Sequence, residues 1–230
     1  MKRRIRIQGF LIFLFFTLSI LLSKSLFPHW EKEAPDEFLD AVGIGTVLFG
    51  FLFRISARGY KAEKSWDGKK LITDGPYGLM RHPMYFGTFL IGLGIIFVLF
   101  NWWVFPLFFF VFLLIYIPQI HREEQKLQQQ FDDEYMIYCK KTPKYFPRVS
   151  IFFKLDFRDY LPLKWLWIKK ELISLTVVIS VMIAIEIWED VRLFGYAERT
   201  KELLESLLII IPYFAILLLL INEANFKENN

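Results

Sequence analysis

The sequence predicts an all-α integral membrane protein with about six transmembrane helices, a cytosolic interfacial amphipathic helix and both termini in the cytosol. Of its 230 residues, 55% are hydrophobic and 19% are aromatic, and the mean hydropathy is +0.36. That composition is too apolar for a soluble domain of this size. A membrane-spanning helix needs about 17–25 mostly apolar residues. Six runs approach that length: 10–27, 38–53, 85–100, 102–117, 172–188 and 207–221.

The distribution of lysine and arginine predicts the orientation. Basic residues crowd the N-terminus, the segment 54–81 and the segment 122–170, whereas the loop 29–37 is acidic. Cytosolic loops carry the excess of lysine and arginine, so both termini and both basic segments are expected in the cytosol. The net charge of +4 fits contact with anionic headgroups, and no nucleic-acid motif is present. We expect a multi-pass protein of the plasma or inner membrane in a bacterium, or of the endoplasmic reticulum in a eukaryote.

No composition shift, repeat or long linker divides the chain, so residues 1–230 are expected to form a single membrane domain. Its one cysteine, Cys139, excludes an intramolecular disulfide and a multi-cysteine metal site. The structural interpretation of Cys139 is a small apolar residue on a helix.

The start of the third apolar run gathers polar residues at one membrane face. Asp74-Gly75-Pro76 is a turn signal, and Pro83 fits the first turn of a helix, where its missing N–H does no harm. Arg81 and His82 therefore belong to the cytosolic mouth of that helix.

The fourth run carries carboxylates back to this same face. A tight hairpin through Asn101 makes the third and fourth runs antiparallel neighbours, so Glu123 and Glu124 are expected close to Arg81 and His82. Such a site offers cations and a helix N-terminus to an anionic group, and carboxylates to an ammonium or a ribose diol. Aromatic side chains near it can stack on a base: Tyr77, Tyr85, Tyr145 and Phe146. A zwitterion that carries a nucleoside fits this set, although the chain has no G-x-G-x-x-G motif and no P-loop.

Residues 123–141 predict an amphipathic helix that lies along the membrane surface. Its apolar stripe is spaced by four, four and three residues: Leu127, Phe131, Tyr135 and Tyr138. Pro143 is expected to end it, after which the segment 145–147 folds back across the mouth of the site.

Three blocks of the sequence together resemble the motif pattern of a known protein family. The chain reads Gly75-Pro76-Tyr77 followed by Arg81-His82-Pro83-x-Tyr85, then Glu123-Glu124-x-x-Leu127, and then Phe131, Tyr135, Tyr138 and Pro143. In order and spacing, this pattern resembles the isoprenylcysteine carboxyl methyltransferase family, with which phospholipid methyltransferases and many bacterial membrane methyltransferases share it. The resemblance covers about residues 69–148.

The resemblance implies an integral membrane enzyme that uses S-adenosyl-L-methionine, yields S-adenosyl-L-homocysteine and needs no metal. It implies these cofactor-binding residues: Leu71, Ile72, Tyr77, His82, Pro83, Tyr85, Glu123 and Glu124. The catalytic group would comprise Arg81, Arg122 and Glu123. In the eukaryotic enzymes an arginine four residues before the first glutamate helps to orient the substrate carboxylate. That position is Gln119 here, and Arg122 or Arg81 is the candidate replacement.

The expected reaction moves a methyl group to a lipophilic acceptor at the cytosolic interface. The sulfonium already activates the methyl group, so alignment of the acceptor and exclusion of water are the main tasks of the protein. The acceptor stays open between a prenylated thiol or carboxylate, a phospholipid amine and a small apolar thiol. Two further spans, about residues 172–221, follow the motif block, and the sequence gives no account of their role.

Other classes remain open beside the methyltransferase. An NADPH-dependent membrane reductase of the sterol-reductase type is similar in its R-H-P-x-Y motif and in Tyr138-Cys139, but the sequence shows no basic cluster for a 2′-phosphate. A metal enzyme would have to use His82, His121 and Glu124, without metal-binding spacing. A membrane protein without catalytic activity is the last alternative.

Overall fold

The computed structural model describes residues 34–65, 68–147 and 160–194. These residues form five helices: α1 (Ala34–Lys64), α2 (Pro76–Leu79), α3 (Pro83–Leu99), α4 (Val104–Lys141) and α5 (Trp165–Phe194). No strand occurs within those three ranges, which confirms the all-α prediction for them. By length and composition, Ala41–Lys64 and α4 could each cross a membrane, while α3 and Ser174–Ile183 are shorter apolar helices.

Four of the six predicted spans coincide with helices. The runs 38–53, 85–100, 102–117 and 172–188 correspond to α1, α3, α4 and α5. The runs 10–27 and 207–221, like both termini, lie outside the described residues. A total of six spans and the cytosolic position of the termini therefore stay predictions.

Glycines bring α1 and α3 into backbone contact. A Cβ atom on Gly50 would lie 2.6 Å from the Gly87 carbonyl oxygen, and one on Gly94 would lie 2.5 Å from the Gly43 carbonyl oxygen. The two pairs are seven residues apart on each helix and run in opposite directions, so α1 and α3 are antiparallel. Small residues permit such close approach between apolar helices. The arrangement places Lys61, in the last turn of α1, next to the start of α3.

A buried carboxylate joins α5 to α1. Glu171 is 1% exposed and forms ion pairs with Arg54, at 3.2 Å from Nη2, and with Arg58. The Trp167 ring covers Gly59, where a Cβ atom would lie 2.2 Å from the ring. The first of the two extra C-terminal spans therefore packs against the helix that precedes the motif block.

The predicted hairpin is confirmed, because α3 ends at Leu99 and α4 begins at Val104. Aromatic rings fill the contact between the two helices: Phe89 packs against Phe108, Phe109 and Phe112. The outer face of α4 exposes large apolar side chains such as Leu107 and Phe110, as a lipid-facing helix does.

The predicted amphipathic helix does not begin at Glu123. The first part of α4 stays helical from Val104 to Phe131, its backbone departs from helical geometry at Asp132 (φ 38°, ψ −111°), and residues 133–141 form a second helical stretch. Its apolar stripe is confirmed, since Leu127, Phe131, Tyr135 and Tyr138 pack together against Leu71. The helix ends at Lys141, two residues before Pro143, as predicted. That this segment lies along the membrane surface stays a prediction.

Candidate active site

A cavity of about 850 Å³ lies between the end of α1, the start of α3 and the middle of α4. Its lining comprises Lys61, Tyr77, Arg81, His82, Pro83, Met84, Tyr85, Leu114, Ile115, Pro118, Gln119, Arg122, Glu123 and Lys126. Small-molecule and cofactor sites typically have volumes of about 300–1,000 Å³. The cavity can therefore hold a cofactor together with part of a second molecule.

Most residues predicted for the site line this cavity. The residues brought together are Tyr77, Arg81, His82, Pro83, Tyr85, Arg122 and Glu123. Three predicted cofactor residues do not belong to the lining: Leu71, Ile72 and Glu124. Leu71 and Ile72 are buried instead, and Leu71 packs against Tyr135 and Tyr138.

A chain of hydrogen bonds fixes the carboxylate of Glu123. The Gln119 amide donates to the Tyr85 hydroxyl at 2.9 Å, and the Tyr85 hydroxyl donates to Glu123 Oε2 at 3.0 Å. Lys61 Nζ approaches the other oxygen, Oε1, at 3.5 Å. The glutamine at the position of the family arginine thus orients Glu123 through Tyr85.

Glu124 is not part of the cavity lining, and its carboxylate contacts three side chains that are positively charged or can be protonated. Its Oε1 is 2.9 Å from Arg81 Nη1 and 3.3 Å from His82 Nε2, and its Oε2 pairs with Lys144. The backbone N–H of Arg81 also donates to the Pro143 carbonyl oxygen at 2.9 Å. Glu124 therefore positions Arg81 and His82 and does not itself face the cavity.

The aromatic stripe of α4 supports Tyr77 from behind. The Tyr138 hydroxyl donates to the Tyr77 carbonyl oxygen at 2.8 Å, which explains why Tyr138 serves the site without entering it. Burial raises the pKa of Tyr77, so its phenol stays neutral throughout the physiological range. It can then offer a hydroxyl donor and an aromatic face to a ligand.

Pro118 interrupts the helical hydrogen bonding of α4 in the cavity wall. Proline has no N–H, so the carbonyl of Leu114, four residues earlier, receives no helical hydrogen bond from position 118. Both residues line the cavity. Sequence reasoning missed both, and it missed Lys61 and Lys126 as well. For Pro118 and Leu114, the available signal was a proline within an apolar run. No local signal connects Lys61 with Glu123.

Burial lowers the pKa of His82, and its contact with Glu124 offsets only part of this effect. The imidazole is therefore neutral at pH 7. Since its folded-state pKa lies below the unfolded value of 6.5, the unfolded chain binds more protons on the acid side. Stability from this group is complete above the unfolded pKa and is lost as the pH falls below it.

We therefore expect His82→Gln to reduce the acid sensitivity of the protein. The glutamine amide can still donate to Glu124 but does not titrate, so the free energy of unfolding should fall less between about pH 7.5 and about pH 5.5. One proton accounts for at most about 1.4 kcal/mol per pH unit. His121→Gln is the matched control, because His121 is exposed. Equal pH profiles for wild type and His82→Gln would contradict the expectation.

A second, apolar cavity of about 190 Å³ adjoins the first. Its lining comprises His82, Tyr85, Phe86, Phe89, Phe109, Phe112, Leu113, Ile117, Ile120, Tyr145 and Phe146. His82 and Tyr85 belong to both cavities and form their common wall. The predicted return of the segment 145–147 is confirmed for Phe146, whose ring centroid lies 6.1 Å from that of Phe86.

Within the part of the chain that the structure describes, no group of three or more histidine, cysteine, aspartate or glutamate side chains is placed to hold a metal ion. The imidazole of His121 instead contacts the Gln125 amide at 3.1 Å on the exposed side of α4. These contacts give no support to a metal enzyme that uses His82, His121 and Glu124.

Comparison with known proteins shows what the region that contains this site is similar to. A family model for phospholipid methyltransferases matches residues 39–134, which include most of α1, all of α2 and α3, most of α4 and the whole lining of the larger cavity. Similar curated proteins include the protein-S-isoprenylcysteine O-methyltransferase of Schizosaccharomyces pombe, 38% identical over 79 residues, or 34% of each chain. These two matches support the predicted family, that of the isoprenylcysteine carboxyl and phospholipid methyltransferases, for the matched region.

Two metal-resistance proteins are also similar over a longer stretch. The cobalt-zinc-cadmium resistance protein CzcN of Cupriavidus metallidurans is 28% identical over 137 residues, covering 59% of this chain and 62% of the relative. The nickel-cobalt-cadmium resistance protein NccN of Alcaligenes xylosoxydans xylosoxydans is 34% identical over 139 residues, or 59% and 63%. The chain thus matches less than two thirds of the length of these relatives. No solved structure matches it significantly.

Proposed function

We propose that the protein is an S-adenosyl-L-methionine-dependent methyltransferase of the membrane, which transfers a methyl group to a lipophilic acceptor at the cytosolic interface. One observation carries the proposal: within the region of the family match, the predicted residues of two separate motif blocks line a single cavity. Tyr77, the segment 81–85 and Glu123 come from α2, the start of α3 and α4, so their meeting is a property of the fold. The basic segments at the ends of these helices support a cytosolic orientation.

The residues present fit the cofactor. Glu123, oriented by Tyr85, would accept hydrogen bonds from its ammonium or ribose hydroxyls. The N-terminus of α3 at Pro83 favours an anionic group, such as its carboxylate. The Leu114 carbonyl is a further acceptor for a cationic or N–H group, and Tyr77 can stack on the base. When bound, the cofactor supplies a methyl group that its sulfonium already activates.

The protein contributes position and environment to the reaction. Glu124 holds Arg81 and His82 in place, and the Gln119–Tyr85 hydrogen bond holds Glu123. A fixed frame of this kind aligns reacting groups without moving during the reaction. The second cavity opens among phenylalanines, so an apolar acceptor can reach the common wall at Tyr85 from the lipid side.

One observation favours the reductase alternative. The sequence shows no basic cluster, but the fold brings the cationic side chains of Lys61, Arg81, Arg122 and Lys126 to the same cavity. Such a set could contact a phosphate of NADPH. The family match supports the methyltransferase, and the two functions differ in the cofactor that binds.

The first expected result concerns S-adenosylhomocysteine binding to the detergent-purified protein. We expect micromolar affinity by calorimetry, and Glu123→Gln should weaken it by about tenfold or more, or about 1.4 kcal/mol, because the amide loses the charge. Glu134→Gln is the matched control, since Glu134 is an exposed glutamate on the same helix and outside the cavity. Binding of NADPH in place of S-adenosylhomocysteine by folded protein would put the reductase first.

A further inference from the structure

Lys61 is a charged residue of the larger cavity that comes from outside the motif blocks. It lies in the last turn of α1 and lines the cavity, and its Nζ atom is 3.5 Å from Glu123 Oε1. The close contact between Gly50 and Gly87 holds α1 against α3, so the ammonium reaches the cavity because of how these helices pack. Opposite charges from α1 and α4 therefore lie side by side on the cavity wall.

The contact between Lys61 and Glu123 is looser and more open than a structural ion pair. Its distance exceeds that of a charge-assisted hydrogen bond, which is about 2.7–2.9 Å, and the two side chains are 47% and 34% exposed. Exposed ion pairs contribute little to stability. The carboxylate that joins α1 to α5 differs, since Glu171 is 1% exposed and pairs with two arginines. Both charges of the Lys61–Glu123 pair are thus accessible to a ligand.

The two oxygens of Glu123 have different neighbours. Oε2 accepts the hydrogen bond from the Tyr85 hydroxyl, whereas Oε1 faces Lys61. A ligand cation that binds Oε1 therefore comes next to the Lys61 ammonium, and the two positive charges repel each other. A ligand that carries a carboxylate beside its cation avoids this repulsion, because the carboxylate can pair with Lys61. The arrangement selects a zwitterion over a simple cation.

The amino-acid end of S-adenosylmethionine is such a zwitterion. Its ammonium and its carboxylate are attached to the same carbon atom, so the two charges lie close together, as those of Lys61 and Glu123 do. When the two pairs lie next to each other in opposite order, each charge of the ligand meets its opposite on the protein. The N-terminus of α3, at Pro83 in the lining of the same cavity, favours the same carboxylate.

We propose that Lys61 is a cofactor-binding residue, and that Lys61 and Glu123 together hold the zwitterionic end of the cofactor. Lys61 binds the carboxylate and Glu123 Oε1 binds the ammonium, in exchange for the contact that the two side chains make with each other. This inference rests on the proposed methyltransferase function and adds a residue of α1 to the expected cofactor site. It also predicts that the site discriminates against adenine nucleosides without a carboxylate.

The test compares three nucleosides by calorimetry on the full-length protein in detergent. S-adenosylhomocysteine carries both charges, its decarboxylated analogue carries the ammonium alone, and 5′-methylthioadenosine carries neither. We expect the wild type to bind S-adenosylhomocysteine about tenfold or more tightly than the decarboxylated analogue, equivalent to about 1.4 kcal/mol. Lys61→Met should weaken S-adenosylhomocysteine binding by a similar factor. It should leave 5′-methylthioadenosine unchanged and bind the decarboxylated analogue at least as well as the wild type, because the repulsion from Lys61 is removed.

Three control variants separate this contact from the general charge of the protein. Lys64→Met is the matched control, since Lys64 is an exposed lysine of the same helical turn and lies outside the cavity lining. Lys126→Met removes a cation that lines the cavity from α4. Both should bind the three nucleosides as the wild type does. Lys61→Arg keeps the charge and should retain most of the preference for S-adenosylhomocysteine. Thermal unfolding would show that each variant is folded.

Three results would overturn the proposal while S-adenosylhomocysteine binding upholds the methyltransferase function. Equal loss of affinity for all three nucleosides in Lys61→Met would assign Lys61 to the nucleoside part. Tighter binding of S-adenosylhomocysteine in this variant would show that Lys61 only competes for Glu123. Unchanged binding would exclude Lys61 from the site. Failure of the wild-type protein to bind S-adenosylhomocysteine would instead count against the proposed function itself.

Discussion

Replacement of Gly87 with leucine is expected to force α1 and α3 apart and to abolish S-adenosylhomocysteine binding. A Cβ atom at Gly87 would lie 2.6 Å from the Gly50 carbonyl oxygen and 2.9 Å from Arg54 Cγ. Overpacking typically costs about 1–3 kcal/mol. Here the obstacle is backbone, which cannot turn aside, so we expect a loss of more than about 3 kcal/mol in the free energy of unfolding. Thermal unfolding in detergent and calorimetry would measure the two effects.

Gly45→Leu is the matched control for this variant. Gly45 is exposed on α1, and a Cβ atom there would meet nothing within 4 Å. The control should fold and bind S-adenosylhomocysteine as the wild type does. If Gly87→Leu unfolds at the wild-type temperature and binds normally, the close contact between α1 and α3 is wrong.

Substitution of Glu171 with glutamine is expected to cost about 3 kcal/mol of stability. Glu171 is 1% exposed and neutralises Arg54, which is itself largely buried, with its side chain 24% exposed. Removal of one member of a buried ion pair costs about 3–5 kcal/mol, because it leaves an uncompensated charge. We take the lower end, since Arg58 is 52% exposed and can turn to solvent. The midpoint of chemical or thermal unfolding would report the loss.

The ion pair between Glu63 and Lys164 provides a matched comparison at the same α1–α5 boundary. Its side chains are 44% and 54% exposed, so Glu63→Gln should cost much less stability than Glu171→Gln. Adding Arg54→Met to a Glu171→Leu variant should recover much of the lost stability, because it removes the uncompensated charge. Equal effects of Glu171→Gln and Glu63→Gln would show that Glu171 is not a buried partner.

The sequence was sufficient where the signal is local. Apolar runs located four of the helices, and the short connection at Asn101 implied the hairpin that brings Glu123 and Glu124 to Arg81 and His82. Those contacts follow from antiparallel neighbours, which need no long-range information. Helical periodicity likewise identified the stripe that packs on Leu71.

The sequence was insufficient where contact depends on how distant helices pack. Lys61 and Glu123 are 62 residues apart, and Arg54 and Glu171 are 117 apart, so no spacing rule relates them. The amphipathic segment was predicted as a separate helix because a change from apolar to polar composition resembles a boundary. Helical hydrogen bonding depends on the backbone, however, and α4 continues through that change as far as Asp132.

The length of α4 relates the geometry of the cavity to the thickness of the bilayer. The continuous helix from Val104 to Phe131 has 28 residues and, at a rise of about 1.5 Å each, is about 42 Å long, beyond a hydrocarbon core of about 30 Å. Its backbone stays helical from Val104 through Pro118 to Phe131, so the lipid-facing half and the cavity wall belong to one continuous helix. Helices tilt to match the thickness of the surrounding membrane. We therefore expect a thinner or thicker bilayer to change the positions of Gln119, Arg122 and Glu123 relative to the start of α3, which glycine contacts hold against α1. The chain length of the surrounding lipids would then alter the geometry of the cavity.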